Sequence, residues 1–363
     1  MAMANKQHTS RRRYLELTGA SAAVTALAGC IGGIMGGGDT IRWVSRGGTT
    51  QDAERELWEE WSDESGTTVE HQEVADDTEM MNLVSENPGE IDFLNPSSWG
   101  YAYEAFEFDG ELLTELDVGE IPNYEEVVQD EWQESPLVAD NPKAVFYYVS
   151  TQGIGWNTDQ VDEITSWEEI KDDQFDDAVT LFDSAPARFG NSCANLGLET
   201  EEAAEDDDLF EEVLEEIEAQ NVNAFNYWTT GDEYMRLMRE ERAAVAEAWG
   251  GGVDVVEADG YPVDYTHTED GCVTWSNGFA ICEDSENKEE CYDAINWYYE
   301  DRDRIVDHNT NFYYPTPIED PPEEITELHD YADDPDDLVW IDWGALLPRF
   351  EELEQRLSEI QAS

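Results

Sequence analysis

Basic residues are scarce in this sequence: 18 Lys and Arg stand against 88 Asp and Glu in 363 residues, a net charge of −70. That balance excludes a nucleic-acid partner, because contact with a phosphate backbone needs clustered Lys and Arg. Histidine is nearly as rare, with five in all. His8 lies in the N-terminal segment, and His71, His267, His308 and His329 have no metal-ligand spacing. No Cys-x-x-Cys, His-Glu-x-x-His or Gly-x-Ser-x-Gly occurs. The equipment of a zinc site or a serine or metallo-hydrolase is therefore missing, and no enzyme activity, metal or cofactor is expected. Long apolar runs are missing too; after the first 30 residues nothing is long and apolar enough to span a bilayer.

Aromatic residues, by contrast, are plentiful: 13 Trp, 16 Tyr and 12 Phe supply core material and argue against disorder. The acids are spread through every segment. Runs such as "EEAAEDDDLFEE" read as solvated helix faces rather than metal sites. A surface so charged repels itself at ordinary salt. Molar salt shortens the Debye length to about 3 Å and removes most of that penalty. The pattern resembles extreme halophiles, haloarchaea among them.

The chain opens with "SRRRYLELTGASAAVTALAGC": Arg11 to Arg13, a short apolar run, then Leu27-Ala28-Gly29-Cys30. This reads as a twin-arginine export signal over 1–30 ending in a lipobox, with Cys30 lipidated. Residues 31–38, "IGGIMGGG", read as a flexible tether. The expected location is the outer face of the cytoplasmic membrane. Four further cysteines fall at 193, 272, 282 and 291. Disulfides are permitted outside the cell. Cys282 and Cys291 flank a short polar loop and are the expected pair, with Cys193–Cys272 as a second pairing; four cysteines allow three connectivities.

Strand and helix patterns alternate. "TIRWVS" reads as a strand, "DAERELWEEWSDESG" as a helix with Leu57, Trp58 and Trp61 inward and Gly66 at its end, "TTVEHQEV" as a strand and "DTEMMNLVSE" as a helix. Farther on, 200–219 reads as one amphipathic helix with Leu209, Phe210, Val213, Leu214 and Ile217 inward. This alternation implies an α/β fold with mostly parallel, helix-covered sheets.

Several stretches, in order, carry a resemblance: "SRGGTTQDAERELWEEW", "DFLNPSSWG" (92–100), "GIGWNTDQVDEITSWEEI" (153–170), "VTWSNGFAICEDSENKEECYDAINWYY" and "YYPTP" (313–317). Together they resemble the solute-binding proteins of ABC importers, most closely the spermidine/putrescine-binding group. The resemblance implies a two-lobed periplasmic-binding-protein-like fold, each lobe a mostly parallel sheet flanked by helices, with crossing strands between the lobes. One lobe is expected over 39–148 plus 277–316, the other over 149–276 plus 317–363. It further implies a monomer that hands a small amine-containing solute to a membrane permease.

Matched motif by motif, the expected ligand-binding residues are Ser97, Trp99, Trp249, Trp275, Asn277, Tyr314 and Trp340. They are mostly aromatic, as a cage for an ammonium group would be. Two carboxylates of the polyamine binders fall here on Ser184 and Ala187, and a third on Asn277; Asp183 and Glu247 lie close enough in sequence to substitute. Among the scarce bases Arg46, Lys143 and Arg188, Arg46 and Arg188 sit on expected cleft loops, where a guanidinium fork suits a ligand carboxylate or phosphonate. γ-Aminobutyrate, a betaine or an aminophosphonate is thus an alternative ligand. A ferric ion held by Tyr313 and Tyr314 is a further alternative.

Overall fold

The expected strands "TIRWVS" and "TTVEHQEV" form in the computed structural model, which describes residues 40–47, 49–139 and 141–362 and has eleven strands among them. In chain order these are β1 (Thr40–Arg46), β2 (Thr68–Val74), β3 (Phe93–Leu94), β4 (Val145–Tyr148), β5 (Thr151–Asn157), β6 (Val179–Phe182), β7 (Ala224–Trp228), β8 (Val245–Trp249), β9 (Val263–Thr266), β10 (Val273–Thr274) and β11 (Asn277–Ile281). The expected export signal, the lipidated Cys30 and the tether lie outside the described residues.

Two sheets result. One runs β2-β1-β3-β11-β4, the other β10-β5-β8-β6-β7 with β9 beside β5. Parallel pairing holds at β1–β2 and β1–β3, and again at β6–β7 and β6–β8. Antiparallel pairing enters with the strands at the crossings: β11 runs against β3 and β4, and β5 against β8, β9 and β10. The sheets are therefore mixed rather than mostly parallel. A strand that has just left the other sheet runs back against its neighbours.

The chain passes between the sheets at Val149-Ser150 and at Trp275-Ser276, and the two passages are tied by a Trp275 N–H to Ser150 O bond of 2.7 Å. Pro315 O accepts from Val149 N at 2.8 Å, so the "YYPTP" segment runs alongside.

Local rules explain the helices that frame the sheets. The helix Thr49–Ser65 buries Leu57, Trp58 and Trp61 and stops at Gly66, whose φ of 82° is left-handed. Trp58 meets Trp43, Phe93 and Phe279 edge-on at 5.9, 5.2 and 5.7 Å, an arrangement aromatic quadrupoles favour. The single helix expected over 200–219 is two, Thr200–Glu205 and Asp207–Gln220. Asp206 breaks it by turning its carboxylate back to accept from Asp208 N and Leu209 N, the act of an N-cap. Phe210, Val213, Leu214 and Ile217 are buried and share a core with Leu353, Leu357 and Ile360 of the helix Phe350–Gln361.

The four described cysteines, Cys193, Cys272, Cys282 and Cys291, are free thiols. Neither the Cys282–Cys291 nor the Cys193–Cys272 bridge is formed. Each sulfur is enclosed in the core as a small hydrophobe, and burial pushes every one of these thiols upward, away from the reactive thiolate.

Candidate functional site

Six strands deliver their carboxyl ends to one place. Arg46 ends β1, Val74 ends β2, Tyr148 ends β4, Phe182 ends β6 and Trp249 ends β8; Thr229 follows β7. All line a cavity of about 670 Å³ that takes residues from both sheets. Strand carboxyl ends are where α/β sheets bind ligands, because the loops that leave them are free to vary without disturbing the ladder. The volume suits a small molecule.

The walls are aromatic. On one side Phe182 stacks on Trp228 at 4.1 Å and meets Trp249 edge-on at 5.5 Å. Opposite, Trp99 stacks on Phe350 at 5.2 Å and 17° and touches Trp343 at 5.1 Å. Tyr314 packs against Tyr148 at 5.2 Å and Phe312 at 5.3 Å. The indole N–H groups of Trp249 and Trp275 have no hydrogen-bond partner.

The charge is one-sided. Glu73, Asp76, Asp77, Asp183, Asp232 and Glu354 line the cavity, against Arg46 alone. Arg46 is already engaged: its guanidinium donates to Asp77 at 2.8 Å and to the Tyr148 hydroxyl at 3.1 Å. Burial opposes its charge, but Asp77 and Tyr148 more than offset that, so its pKa is raised. Asp77 also accepts from the Ser97 hydroxyl at 2.6 Å. Behind this pair Glu54 is buried, and loss of water pushes its carboxyl up to about 8 despite Arg46 nearby. Glu73, Asp76, Asp183, Asp232 and Glu354 have no basic partner among the described residues.

Of the residues expected from the sequence, Arg46, Ser97, Trp99, Asp183, Ser184, Trp249, Trp275, Asn277 and Tyr314 all line this cavity. Trp340 does not; its indole donates to Pro335 O at 2.9 Å, and its backbone oxygen accepts from Thr200. Arg188 is also misplaced by the sequence reading. It is fully buried, donating to Glu247 at 2.8 Å and to Gln220, so neither Arg188 nor Glu247 is free for a ligand. A helix start reads like a cleft loop in one dimension, but the helix Ala185–Leu196 turns this face into the core. Lys143 is likewise spent, on Glu104 at 3.0 Å. Other lining side chains are already in use: Asn277 donates to Asn95 O at 2.9 Å, and Ser184 caps the helix Ala185–Leu196. Glu73, Asp76, Asp77, Asp232 and Glu354, with Phe182, Phe312 and Phe350, were not expected. In a chain with 88 acids no single carboxylate stands out. Only Phe182, in the strand end "TLFDSA", carried a positional signal.

Comparison with known proteins agrees with this architecture. The sequence profile of the bacterial extracellular solute-binding proteins matches residues 57–317. The spermidine/putrescine-binding periplasmic protein 1 of Haemophilus influenzae is 25% identical over 213 residues, 58% of this chain and 56% of that protein. The match thus spans a little over half the length of that relative. Among solved structures, the spermidine/putrescine ABC transporter substrate-binding protein PotD of Streptococcus pneumoniae superposes with a TM-score of 0.76 at 18% identity, over 89% of this chain and 99% of that one. The PotD lipoprotein of Treponema pallidum gives 0.75 at 16%, over 90% and 100%. A structure described as a GABA receptor gives 0.71 at 20%, over 89% and 98%. At these identities the superpositions show a shared fold.

Proposed function

The chain belongs to the bacterial extracellular solute-binding protein family, and on that premise we propose that it binds a small cationic amine, of the putrescine and spermidine class, between its two sheets. The observation that carries this reading is the cavity itself: aromatic faces on both sides, six carboxylates, and one guanidinium already paired with Asp77. Ammonium groups are drawn to aromatic faces by the ring quadrupole and to carboxylates by charge. A zwitterion would leave most of those carboxylates unanswered. Within the family's role the protein would present its ligand to a membrane permease, anchored through Cys30 after export.

A second reading has one observation in its favour. Arg46 keeps unused N–H groups, and Asn277 stands where an amine-gripping carboxylate was expected, so an amino acid such as γ-aminobutyrate has a place for its carboxylate. The ferric alternative has less support. Burial pushes the Tyr314 phenol well up, which disfavours the phenolate that iron needs, and Tyr313 is not among the residues that line the cavity.

Thermal melts in molar salt decide between the first two. Putrescine or spermidine at a hundred times its dissociation constant should stabilise the protein by about 2.7 kcal/mol. A shift with γ-aminobutyrate and none with either polyamine would overturn the cationic reading. Mass analysis of membrane-extracted protein should find lipid on Cys30; an unmodified or uncleaved N-terminus would remove the anchor.

A further inference from the structure

Beside the crossing strands, the halves built on the two sheets meet through aromatic rings. Trp99 belongs to the half of the first sheet. It lies in the first turn of the helix Ser98–Glu107, which the Tyr101 hydroxyl fastens to β11 by donating to Phe279 O at 3.2 Å. The Trp99 indole N–H donates to Thr78 Oγ1 at 3.4 Å, and its ring touches Tyr103 of its own helix at 5.6 Å.

Trp343 and Phe350 belong to the other half. Phe350 opens the helix Phe350–Gln361, whose Leu353 and Leu357 share a core with Val273 of β10, and Trp343 packs on the same core. Arg349, just before Phe350, lies over the Phe210 ring at 3.6 Å and pairs with Asp207 at 3.2 Å. Arg356 pairs with Glu211 at 2.8 Å. This segment is thus tied at several points to the helix Asp207–Gln220.

Trp99 meets both rings, stacked on Phe350 at 5.2 Å and 17° and beside Trp343 at 5.1 Å. Trp343 in turn lies 6.2 Å from Trp275, and Ser98 N donates to Ser276 O at 3.1 Å, so the rings sit against the Trp275-Ser276 crossing. Trp99 and Phe350 both line the cavity, and each is fixed to its own half. A turn of the halves that widens the cavity has to part them.

Charge pulls the other way. Glu73, Asp76 and Asp77 line the cavity from the first half, and Asp183, Asp232 and Glu354 from the second. Like charges across a cavity favour separation. The ion pairs at its edges, Arg46–Asp77 and Arg349–Asp207, each stay within one half. A stack of uncharged rings can oppose that repulsion, and molar salt, which screens ion pairs, leaves it intact.

We infer that Trp99, Phe350 and Trp343 form a clasp that holds the two halves together over the cavity. The clasp is made by the protein alone, so it acts whether or not a ligand is present, and its release governs opening. This rests on the reading that a ligand is taken up between the sheets, whichever ligand that is. Each of the two ring pairs across the halves is worth about two- to tenfold in the equilibrium between joined and parted halves.

Small-angle X-ray scattering in molar salt tests this on wild type, Trp99→Ala, Phe350→Ala and Trp99→Phe, each without ligand and with putrescine or spermidine. Ligand-free wild type should have the same radius of gyration as wild type with either amine. Ligand-free Trp99→Ala and Phe350→Ala should be larger, with unchanged circular dichroism showing that they have opened rather than unfolded. Trp99→Phe, which keeps a ring opposite Phe350, should stay compact. Alanine variants as compact as wild type would overturn the inference, and so would contraction of wild type on adding either amine or expansion of Trp99→Phe to the size of Trp99→Ala. The amine-binding reading is judged separately, by the wild-type melts with putrescine and spermidine; its failure leaves the comparison of ligand-free samples intact.

Discussion

Trp275 and Asn277 show how one residue's meaning depends on what it faces. Both line the cavity, but they differ in freedom: the Trp275 indole N–H has no partner, whereas Asn277 is 2% exposed and spends its amide on Asn95 O. Trp275→Ala should therefore lower amine affinity by about 1–3 kcal/mol, the loss of one cation–π face and its packing, with a much smaller effect on melting. Calorimetry and melts on the same sample separate the two; equal losses in both would make Trp275 a core residue. Asn277→Asp should favour polyamines over zwitterions, because it adds a carboxylate beside the ligand. It should also cost stability, since a carboxylate has no N–H to give Asn95 O and one buried acceptor is left unpaired.

Among the elements, the helix Gly250–Ala258 depends on residues far away in sequence. In its first turn Gly251 and Gly252 line the cavity with no side chain. A Cβ on Gly251 would lie 2.5 Å from the Tyr313 carbonyl, and one on Gly252 would overlap the Tyr234 hydroxyl, which donates to Trp249 O. The glycines are there to let tyrosines approach. Asp330 caps this helix start, accepting from Gly250 N at 3.1 Å and Gly251 N at 2.8 Å, and His329 lies 2.8 Å from Asp254 on the same helix. Burial outweighs those hydrogen bonds and raises the Asp330 carboxyl to about 7. Burial opposes the His329 imidazolium, but Asp254, Glu257 and Asp264 raise it overall. The signs agree. Between the ordinary carboxylate value near 4 and about 7, the folded chain holds a proton on Asp330 that the unfolded chain has lost, so stability falls as pH rises through that window. The His329 contribution is present below about 6.5 and is lost as pH rises through its elevated folded value. Against the opposite pull of His267 and His308, whose burial lowers them to about 4 and about 3, Asp330 and His329 should thus bend the melting temperature in molar salt downward from pH 4 toward 8. Asp330→Asn should flatten the part below 7, at the cost of an N–H left without its acceptor. An unchanged slope in that variant would show that Asp330 is ionised across the range.

For the whole molecule, charge sets the conditions under which any of this holds. A net charge of −70 with 18 basic residues leaves most carboxylates without a counter-charge, and several of the bases are spent on buried pairs such as Arg188–Glu247. Below about 0.1 M salt, where the Debye length reaches about 10 Å, surface carboxylates repel one another across the fold. We propose a halophilic protein that swells or unfolds as salt is removed. Circular dichroism and sedimentation from molar salt down to 50 mM would follow the loss, and constancy of both would overturn the proposal.

What the sequence determined by itself was whatever repeats locally. Period-3.6 apolar positions placed Leu57, Trp58 and Trp61 inside, Gly66 ended a helix, and the order of short motifs placed Trp99, Trp249, Trp275 and Tyr314 at one site. What only the tertiary structure decided was which of many similar residues meet. Arg188 went inside because Glu247 and Gln220 could satisfy it there, and the cysteines stayed apart in apolar packing. Glu354 reached the cleft because the C-terminal helix packs Leu353, Leu357 and Ile360 into the same core as Phe210, which leaves the adjoining flank at the cavity, where Gln361 meets Asp183. Among 88 carboxylates, position in space was the sole difference, and a carboxylate's identity carries no record of its neighbours.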